Sequence, residues 1–519
     1  MSKRRKNPRT KIKPLDSLIQ ELKEISRLGS IRSLLNWDQE TYMPKGAIEA
    51  RSEQIALMAR LSHERIAGPA LKRILGRVIH LKTEKIQGQT LSSREKRLVK
   101  EAYRDWKKAR ALPTLFVEDL ARLTSQAQHF WQEARKNNCY SDFAPYLEKI
   151  IQMNKKRADY LGWKDSPYDA LLQDFEPNLT TAQLIPVFEE LKEGTVRLLQ
   201  KIKSAQPIDS GNFKGKKFSI EKQWNFGLEI LKEMGFDFNC GRQDQSVHPF
   251  STSFHPSDAR ITTRLDEQEI GQALFGTMHE GGHALYEQGL DPRWYGTPLC
   301  EPISLGIHES QSRLWENYIG RSEPFWRGHF RRLQKFFPEE LAHSDYKTFY
   351  RWINSVKPSP IRVEADEVTY NLHILIRFEI EKEMINGQID VKELPEIWNS
   401  RYQQVLGLHP DSDAKGILQD IHWSMGAMGY FPTYTLGNLY GRMIFDQMSC
   451  EIKNMESIIE NGPLTILRNW LREKIHRVGR GRSADELIQD ISGKKISAKP
   501  FLRYLNQKFS SLYHFPVDE

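Results

Sequence analysis

The chain has 519 residues, of which 39% are hydrophobic and 28% charged, and its formal net charge is +9. These fractions are ordinary for a folded globular protein, and 12 Trp with 24 Phe argue against intrinsic disorder. No apolar run approaches the about 18 residues of a membrane-spanning helix, and no apolar segment of a secretory signal follows the basic N-terminus. Four scattered cysteines form neither CxxC pairs nor a disulfide framework, so we expect a cytoplasmic location without a membrane partner.

The positive charge is concentrated at the N-terminus. The first 14 residues contribute +7 before the first acid, Asp16, which leaves only about +2 for the rest of the chain. A nucleic-acid-binding protein usually spreads its basic residues over a folded face. We therefore predict a disordered, solvated tail at residues 1–14 rather than an arm that contacts nucleic acid, and a folded domain at residues 15–519.

Most of the chain has the apolar periodicity of helices. Residues 15–137 and 141–237 carry apolar side chains at helical spacing, with breaks at proline and glycine. Neither a glycine-rich phosphate loop nor a βαβ pattern occurs, so we predict a mostly α fold. Residues 246–265 differ, because Phe, Thr and Ile alternate with polar residues around a Pro-Ser-Asp turn. This pattern predicts a short antiparallel hairpin, either purely structural or an edge that could hold an extended peptide.

An HExxH motif follows the hairpin, at residues 279–283. The capping pattern from Asp266 and a stop at Gly289 predict that the motif lies on a helix. His279 and His283 are one turn apart and could bind the same metal ion, while Glu280 could reach a water on that ion. The plainer alternative is an exposed helix with two solvated histidines. The pair at residues 281–282, both glycine, costs about 1 kcal/mol each in a helix, which predicts close approach of a substrate or a neighbouring element.

A catalytic metal site of this kind needs a third protein ligand, often an acid from a later helix. The candidates after the motif are Glu301, His308, Glu309 and Glu316, and spacing alone ranks them poorly. Glu309 is attractive because residues 304–320 have a helical pattern.

Two later segments contain further candidates. Arg362 follows a proline-rich break and precedes Glu364 and Asp366. Such a pattern usually forms an ion-paired helix face, but it could also bind a substrate carboxylate while an acid orients a ligand histidine. Residues 416–438 are rich in Gly, Tyr and Trp and contain His422, so they could line a cleft and stabilise an oxyanion, or pack as core aromatics.

Taken together, six motifs in this order resemble those of the carboxypeptidase Taq family of zinc metallocarboxypeptidases, over nearly the full chain. The motifs are HPF at 248–250, DxRxT at 258–262, HExxH at 279–283, HES/GQ at 308–311, IRxxAD at 361–366 and GxxQDxHW at 416–423.

The resemblance implies a large helical fold with two lobes around a deep central groove, similar to neurolysin and angiotensin-converting enzyme. It also implies a cytoplasmic homodimer that releases single C-terminal residues from peptides, with broad side-chain tolerance and poor cleavage next to proline. Two alternatives stay open: a metallo-oligopeptidase that cuts internally, and a non-catalytic helical scaffold.

The resemblance assigns Glu309 as the third Zn²⁺ ligand beside His279 and His283, with Co²⁺ or Mn²⁺ as possible substitutes. We expect Glu280 to act as the general base. The remaining expected roles are oxyanion donors at His422 and at Tyr430 or Tyr434, substrate binding at Arg362, with Arg260 as second choice and His248 beside them, and a hydrogen bond from a ligand histidine to Asp366.

Overall fold

Helices dominate the structure, a computed structural model that describes residues 13–87, 90–211, 213, 215–246 and 248–517. Residues 1–12 of the predicted tail lie outside the described residues. The N-terminal helices are α1 Pro14–Thr41, α2 Ile48–Ala67, α3 Pro69–Leu75, α4 Ser93–Ala111, α5 Thr114–Asn137, α6 Tyr140–Leu161, α7 Pro167–Leu172, α8 Thr181–Ser204 and α9 Ile220–Met234. The later helices are α10 Ile270–Gly289, α11 Leu305–Arg313, α12 Glu323–Phe336, α13 Tyr346–Ile353, α14 Tyr370–Asn386, α15 Leu394–Leu406, α16 Pro432–Glu451, α17 Met455–Asn461, α18 Thr465–Lys474, α19 Ala484–Ser492 and α20 Lys499–Tyr513. The mostly α prediction is confirmed.

A small sheet precedes α10, with strands β1 Gly241–Gln245, β2 Ser251–His255 and β3 Asp258–Thr263 in the order β1-β3-β2. The antiparallel pair β2–β3 is the predicted hairpin. The parallel partner β1 was not predicted, because its sequence GRQDQ lacks the apolar alternation of a half-buried strand. The hydroxyl of Thr277 on α10 donates a 3.2 Å hydrogen bond to Thr263 Oγ1, so the sheet packs on the motif helix.

The buried apolar side chains form two clusters. The larger extends from α5 to α20, and the smaller joins α1, α3 and α4 with Leu299. Helix α10 belongs to the larger cluster and is buried along most of its length. Within the part of the chain that is described, no helix combines the length and the low charge content needed to cross a membrane.

The two glycines inside the HExxH motif face neighbouring helices. A methyl group at Gly281 would lie 2.6 Å from Leu231 Cδ2 of α9, and one at Gly282 would lie 2.7 Å from the Gln311 carbonyl oxygen of α11. Real Cβ atoms do not approach other atoms so closely. At Gly282 the neighbour is backbone, so only glycine fits there, whereas a methyl group at Gly281 would require the end of the Leu231 side chain to move. The predicted close approach is therefore confirmed, and the neighbours are α9 and α11.

Helix α11 occupies most of the segment in which we predicted a helix, and continues as a π-helical turn at Leu314–Gly320. Its N-terminus is fixed by two acceptors: the Ser304 hydroxyl takes the Ile307 N–H at 3.1 Å, and Glu176 takes the Gly306 N–H at 3.0 Å. These contacts satisfy N–H groups that a helix end leaves unpaired. The first turn of α11, the helix that carries Glu309, is therefore fixed by hydrogen bonds to Ser304 and Glu176.

Candidate metal centre

His279, His283 and Glu309 lie together between α10 and α11. One possible ligand atom from each residue lies within 4.8 Å of the other two. Glu309 Oε2 is 3.7 Å from His279 Nε2 and 3.3 Å from His283 Nε2. Two ligands of a tetrahedral Zn²⁺ are about 3.4 Å apart, given metal–ligand distances near 2 Å. The spacing and the donor set therefore fit a divalent cation.

The two candidate ligand histidines differ in their pKa. Burial opposes protonation of His279, but Glu309 and Glu316 outweigh it and raise the pKa of this imidazole, so a cation has to displace its proton. His279 Nδ1 is hydrogen-bonded to Glu316 Oε2 at 2.9 Å, which leaves Nε2 free to offer its lone pair. Burial, aided by the nearby His308, lowers the pKa of His283 to about 3, so that imidazole is neutral. Neutral imidazole is the form that binds metal.

Arg313 links the two acids of this site. Its Nε donates to Glu309 Oε1 at 2.7 Å, and its Nη1 donates to Glu316 Oε2 at 3.2 Å. Burial opposes ionisation of Glu316, but Arg313 and the bond to His279 outweigh it and hold its pKa at about 2. Both acids are therefore anionic and held in position by the same guanidinium.

The other candidate ligands have different partners. Glu316 hydrogen-bonds His279 on the nitrogen opposite the metal side, and Glu301 pairs with Arg480 at 2.7 Å. His308 Nε2 lies 2.9 Å from Glu287 Oε1, and its ring stacks on His283 with centroids 4.4 Å apart. The only acid or histidine that joins the two motif histidines in a three-residue group, among the described residues, is Glu309.

Asp366 does not orient a ligand histidine, which corrects our expectation. Its carboxylate accepts the N–H groups of Lys357, Val368 and Thr369 at 2.9–3.0 Å, and the Thr369 hydroxyl at 3.0 Å. An aspartate that precedes a helix by a few residues binds these free N–H groups readily. Asp366 therefore stabilises the loop before α14. The hydrogen bond to a ligand histidine that we expected from Asp366 is made by Glu316.

Glu280 is buried beside the candidate ligands, with 7% of its surface exposed. Burial raises the pKa of Glu280 to about 7, against the opposing effect of His279. A carboxylate with a pKa near neutrality suits reversible proton transfer.

His422, Tyr430 and Tyr434 lie together. His422 Nε2 is 3.2 Å from the Tyr434 hydroxyl, and the rings of His422 and Tyr430 have centroids 5.2 Å apart. Burial raises the pKa of Tyr430 to about 12 and that of Tyr434 well above its usual value, and the charge of Glu309 adds to both effects. Both hydroxyls are thus protonated and able to donate hydrogen bonds, and Tyr434 lies one turn before Gly437, which packs against Glu309.

Arg362 belongs to a buried ion cluster. Its Nε and Nη2 donate to Asp420 Oδ1 at 2.9 and 2.8 Å, and its Nη1 donates to the Tyr370 hydroxyl at 3.2 Å. Its guanidinium lies 5.1 Å from the Tyr434 ring centre. Arg362 therefore adjoins the aromatic group that contains His422.

Arg260 and His248 are engaged elsewhere. Arg260 pairs with Asp258 at 2.9 Å and stacks on Trp37 at 4.3 Å, on the face of β3 opposite the buried Ile261. These contacts do not bring Arg260 to the candidate ligands, and its role as second choice for the carboxylate site stays a prediction. His248 is exposed in the segment between β1 and β2. None of the described contacts of either side chain involves the candidate ligands.

Sequence reasoning missed three residues of this region: Arg313, Arg377 and Asp420. Arg313 could have been found from its spacing, because Glu309, Arg313 and Glu316 follow one another at i, i+4 and i+7 on one helix face. Asp420 lies inside the GxxQDxHW motif, where its charge beside two buried arginines was not foreseeable from the chain order.

Comparisons with known proteins cover nearly the whole chain. A family model described as carboxypeptidase Taq (M32) metallopeptidase matches residues 17–509. Carboxypeptidase 1 of Bacillus subtilis is 38% identical over 492 residues, which cover 95% of this chain and 97% of the relative. Thermostable carboxypeptidase 1 of Thermus thermophilus is 39% identical over 510 residues, which cover 96% and 98% of the two chains.

The fold also matches solved structures. The crystal structure of an M32 carboxypeptidase from Deinococcus radiodurans has a TM-score of 0.92 and 38% identity, and the match covers 97% of this chain and 100% of that chain. Full-length coverage by a family model, by relatives and by a structure leaves no large part of the chain outside the likeness. The chain therefore belongs to the carboxypeptidase Taq (M32) family of metallopeptidases and is a metal-dependent carboxypeptidase.

Proposed function

We propose that this protein uses Zn²⁺ to remove single residues from the free C-terminus of peptides. The observation that carries the proposal is the convergence of His279, His283 and Glu309 within 4.8 Å, beside the helix α16 that carries Tyr434 and packs on Glu309 through Gly437. Two imidazoles and one carboxylate are a typical ligand set for catalytic zinc. Co²⁺ and Mn²⁺ accept similar ligands and are possible substitutes.

A divalent cation at this position supplies Lewis acidity to the scissile carbonyl and to the attacking water. Glu280 accepts the proton that the water loses, and then donates it to the nitrogen of the leaving amino acid. Arg313 and Glu316 keep Glu309 and His279 in the orientation that the cation needs.

His422, Tyr430 and Tyr434 form a group that supplies hydrogen bonds to the reacting carbonyl. As the water attacks, negative charge develops on the carbonyl oxygen, and a buried donor stabilises it strongly. Tyr430 and Tyr434 are protonated donors, and His422 is bonded to Tyr434. We propose that one of the two hydroxyls donates to this oxygen and that His422 orients it.

Arg362 gives the enzyme its preference for a chain end. A guanidinium binds a carboxylate through two parallel hydrogen bonds, which an amidated terminus cannot match. The position of Arg362 beside Tyr434 supports this role, since the last residue of a substrate must lie close to the scissile bond.

Further expectations come from the family resemblance. We propose broad side-chain tolerance with poor cleavage next to proline, a cytoplasmic location and a homodimer. We also propose that residues 15–519 form two lobes around the substrate groove; the two separate apolar clusters support this division. Nucleic acid is not an expected partner.

The test is digestion of an N-blocked peptide of about ten residues by the zinc-loaded protein, followed over time by mass spectrometry. We expect a ladder of products, each one residue shorter at the C-terminus, and no products from the C-terminally amidated peptide. Internal fragments from both peptides would instead identify an oligopeptidase. No cleavage after verified metal loading would favour the non-catalytic scaffold.

A further inference from the structure

A second arginine, Arg377 on α14, shares the counter-ion of Arg362. Its Nε and Nη2 lie 2.7 and 2.6 Å from Asp420 Oδ2, while Arg362 uses Asp420 Oδ1. Each oxygen of Asp420 therefore serves a different guanidinium. We propose that Arg377 is a positioning residue which neutralises Asp420 and thereby leaves Arg362 with an uncompensated positive charge for the substrate carboxylate. This inference rests on the proposed role of Arg362. We name Arg362, Asp420 and Arg377 the carboxylate clamp.

Arg377 is completely buried, with none of its side chain exposed. Apart from Asp420, it donates to uncharged oxygens only, the His373 carbonyl at 2.8 Å and the Tyr402 hydroxyl at 3.0 Å. A cation removed from water in this way is costly unless it performs a task or is fully paired. Here two cations share one anion.

Three titratable side chains lie around the clamp: His373, His422 and Glu381. Burial lowers the pKa of His373 far below its usual value and that of His422 to about 3, so both imidazoles are neutral. Glu381, one turn after Arg377 on α14, accepts hydrogen bonds from Tyr168, Trp423 and Gly429, and burial raises its pKa to about 7 against these donors and Arg377. Within the described residues, Asp420 is the only acid that pairs with either arginine, and the clamp carries a surplus of one positive charge.

The surplus has a consequence for substrate binding. If Arg362 were paired with Asp420 alone, the pair would be neutral and a peptide carboxylate would have to compete with Asp420 for the guanidinium. Arg377 removes this competition, because it pairs with the second oxygen of Asp420 and shares the negative charge of this acid with Arg362. A buried site with unbalanced charge then selects an anion over an amide of the same shape.

The experiment that tests this role of Arg377 compares Arg377→Met with the wild-type zinc enzyme. The probes are 3-phenylpropionate and its amide, two compounds of similar shape that differ in charge, each tested as a competitive inhibitor with the inhibition constant as readout. We expect Arg377→Met to weaken binding of the carboxylate by about tenfold or more while binding of the amide changes less than about threefold. For peptide cleavage, KM should rise and kcat should change little. Arg442→Met, a largely buried arginine paired with Asp446 on α16, controls for loss of buried charge and stability.

A double variant, Arg377→Met with Asp420→Asn, restores the surplus of one and avoids a buried, half-paired acid if Arg377→Met does not fold. We expect its preference for carboxylate over amide to lie within about threefold of wild type. Equal loss of both probes in Arg377→Met, or loss of the preference in the double variant, would overturn the inference and leave Arg377 a structural residue. Arg362→Met separates the two proposals: if it keeps the carboxylate preference, the role of Arg362 itself is wrong.

Discussion

Gly437 of α16 lies directly against Glu309, so that a methyl group at Gly437 would stand 2.6 Å from Glu309 Cβ and overlap Cγ. On the side of α11 that faces α10, a methyl group at Gly282 would lie 2.7 Å from the Gln311 carbonyl oxygen and from Ser312 Cα. Helix α11, which supplies the third candidate ligand, is thus packed between Gly437 of α16 and Gly282 of α10. Interiors packed at this density transmit small displacements, so changes at either glycine should reach Glu309.

Gly437→Ala should weaken metal binding about tenfold or more and destabilise the fold by about 1–3 kcal/mol, because the new methyl group displaces Glu309. The measurements are a zinc dissociation constant by competition with a chelating dye and the thermal midpoint of the metal-free protein. Gly276→Ala on α10 is the matched control, since a methyl group there meets nothing within 4 Å. That control should keep zinc affinity, and alanine should stabilise its helix slightly. Unchanged affinity in Gly437→Ala would contradict the packing argument.

Glu280→Gln should retain metal and lose turnover. The amide keeps the size of the side chain but cannot accept the proton of the attacking water, so kcat should fall about 10²–10⁴-fold. Metal content per chain and kcat, measured on the same preparation, separate the two effects. Substantial residual turnover at full metal occupancy would remove Glu280 from its assigned role.

Removal of the metal should lower the stability of the protein as well as its activity. A cation that binds only the folded state adds RT ln(1 + [M]/Kd) to the free energy of unfolding, which is about 4 kcal/mol at a thousandfold excess over Kd. Chelation should therefore lower the thermal midpoint of wild type, and added Zn²⁺ should restore it. Glu309→Gln should show a much smaller change on chelation, and an equal change in both proteins would argue against Glu309 as a ligand.

The sequence predicts the parts of this site that follow local spacing. The i, i+4 histidines, the helix around them and the hairpin before them follow local spacing, and the structure contains all three. The predicted cap at Asp266 is wrong, because α10 begins at Ile270 after Glu269 without a side-chain cap. The partners of Asp366, Arg260 and Arg362 depend on contacts between segments that are far apart in the chain. Asp420 shows the limit most clearly, because it binds one arginine 58 residues away and another 43 residues away. No local pattern could indicate that both arginines share it.

Lowering the pH should reduce the free energy of unfolding through protonation of Glu233. This residue lies on α9, the helix that packs against Gly281 of the motif helix. Glu233 Oε1 lies 2.7 Å from His329 Nε2, and its other oxygen binds Arg332. Burial opposes ionisation, but these two partners outweigh it and hold the pKa of Glu233 at about 2, below its usual 4.5. The folded state therefore binds fewer protons than the unfolded state. The stabilisation is complete above pH 4.5 and is lost as the pH falls toward 2.

The free energy of unfolding, measured in urea for wild type and Glu233→Gln, tests this dependence. The difference should be at most about 3 kcal/mol at pH 6, and should shrink by roughly half at pH 3 as the unfolded carboxylate takes up its proton. Glu229→Gln, one turn earlier on α9, is the control, because Glu229 meets Arg332 only at 3.9 Å and is more exposed. That variant should differ from wild type by less than about 0.5 kcal/mol at both pH values. A Glu233→Gln difference that does not change with pH would show that its carboxylate is stabilised no more in the folded than in the unfolded chain.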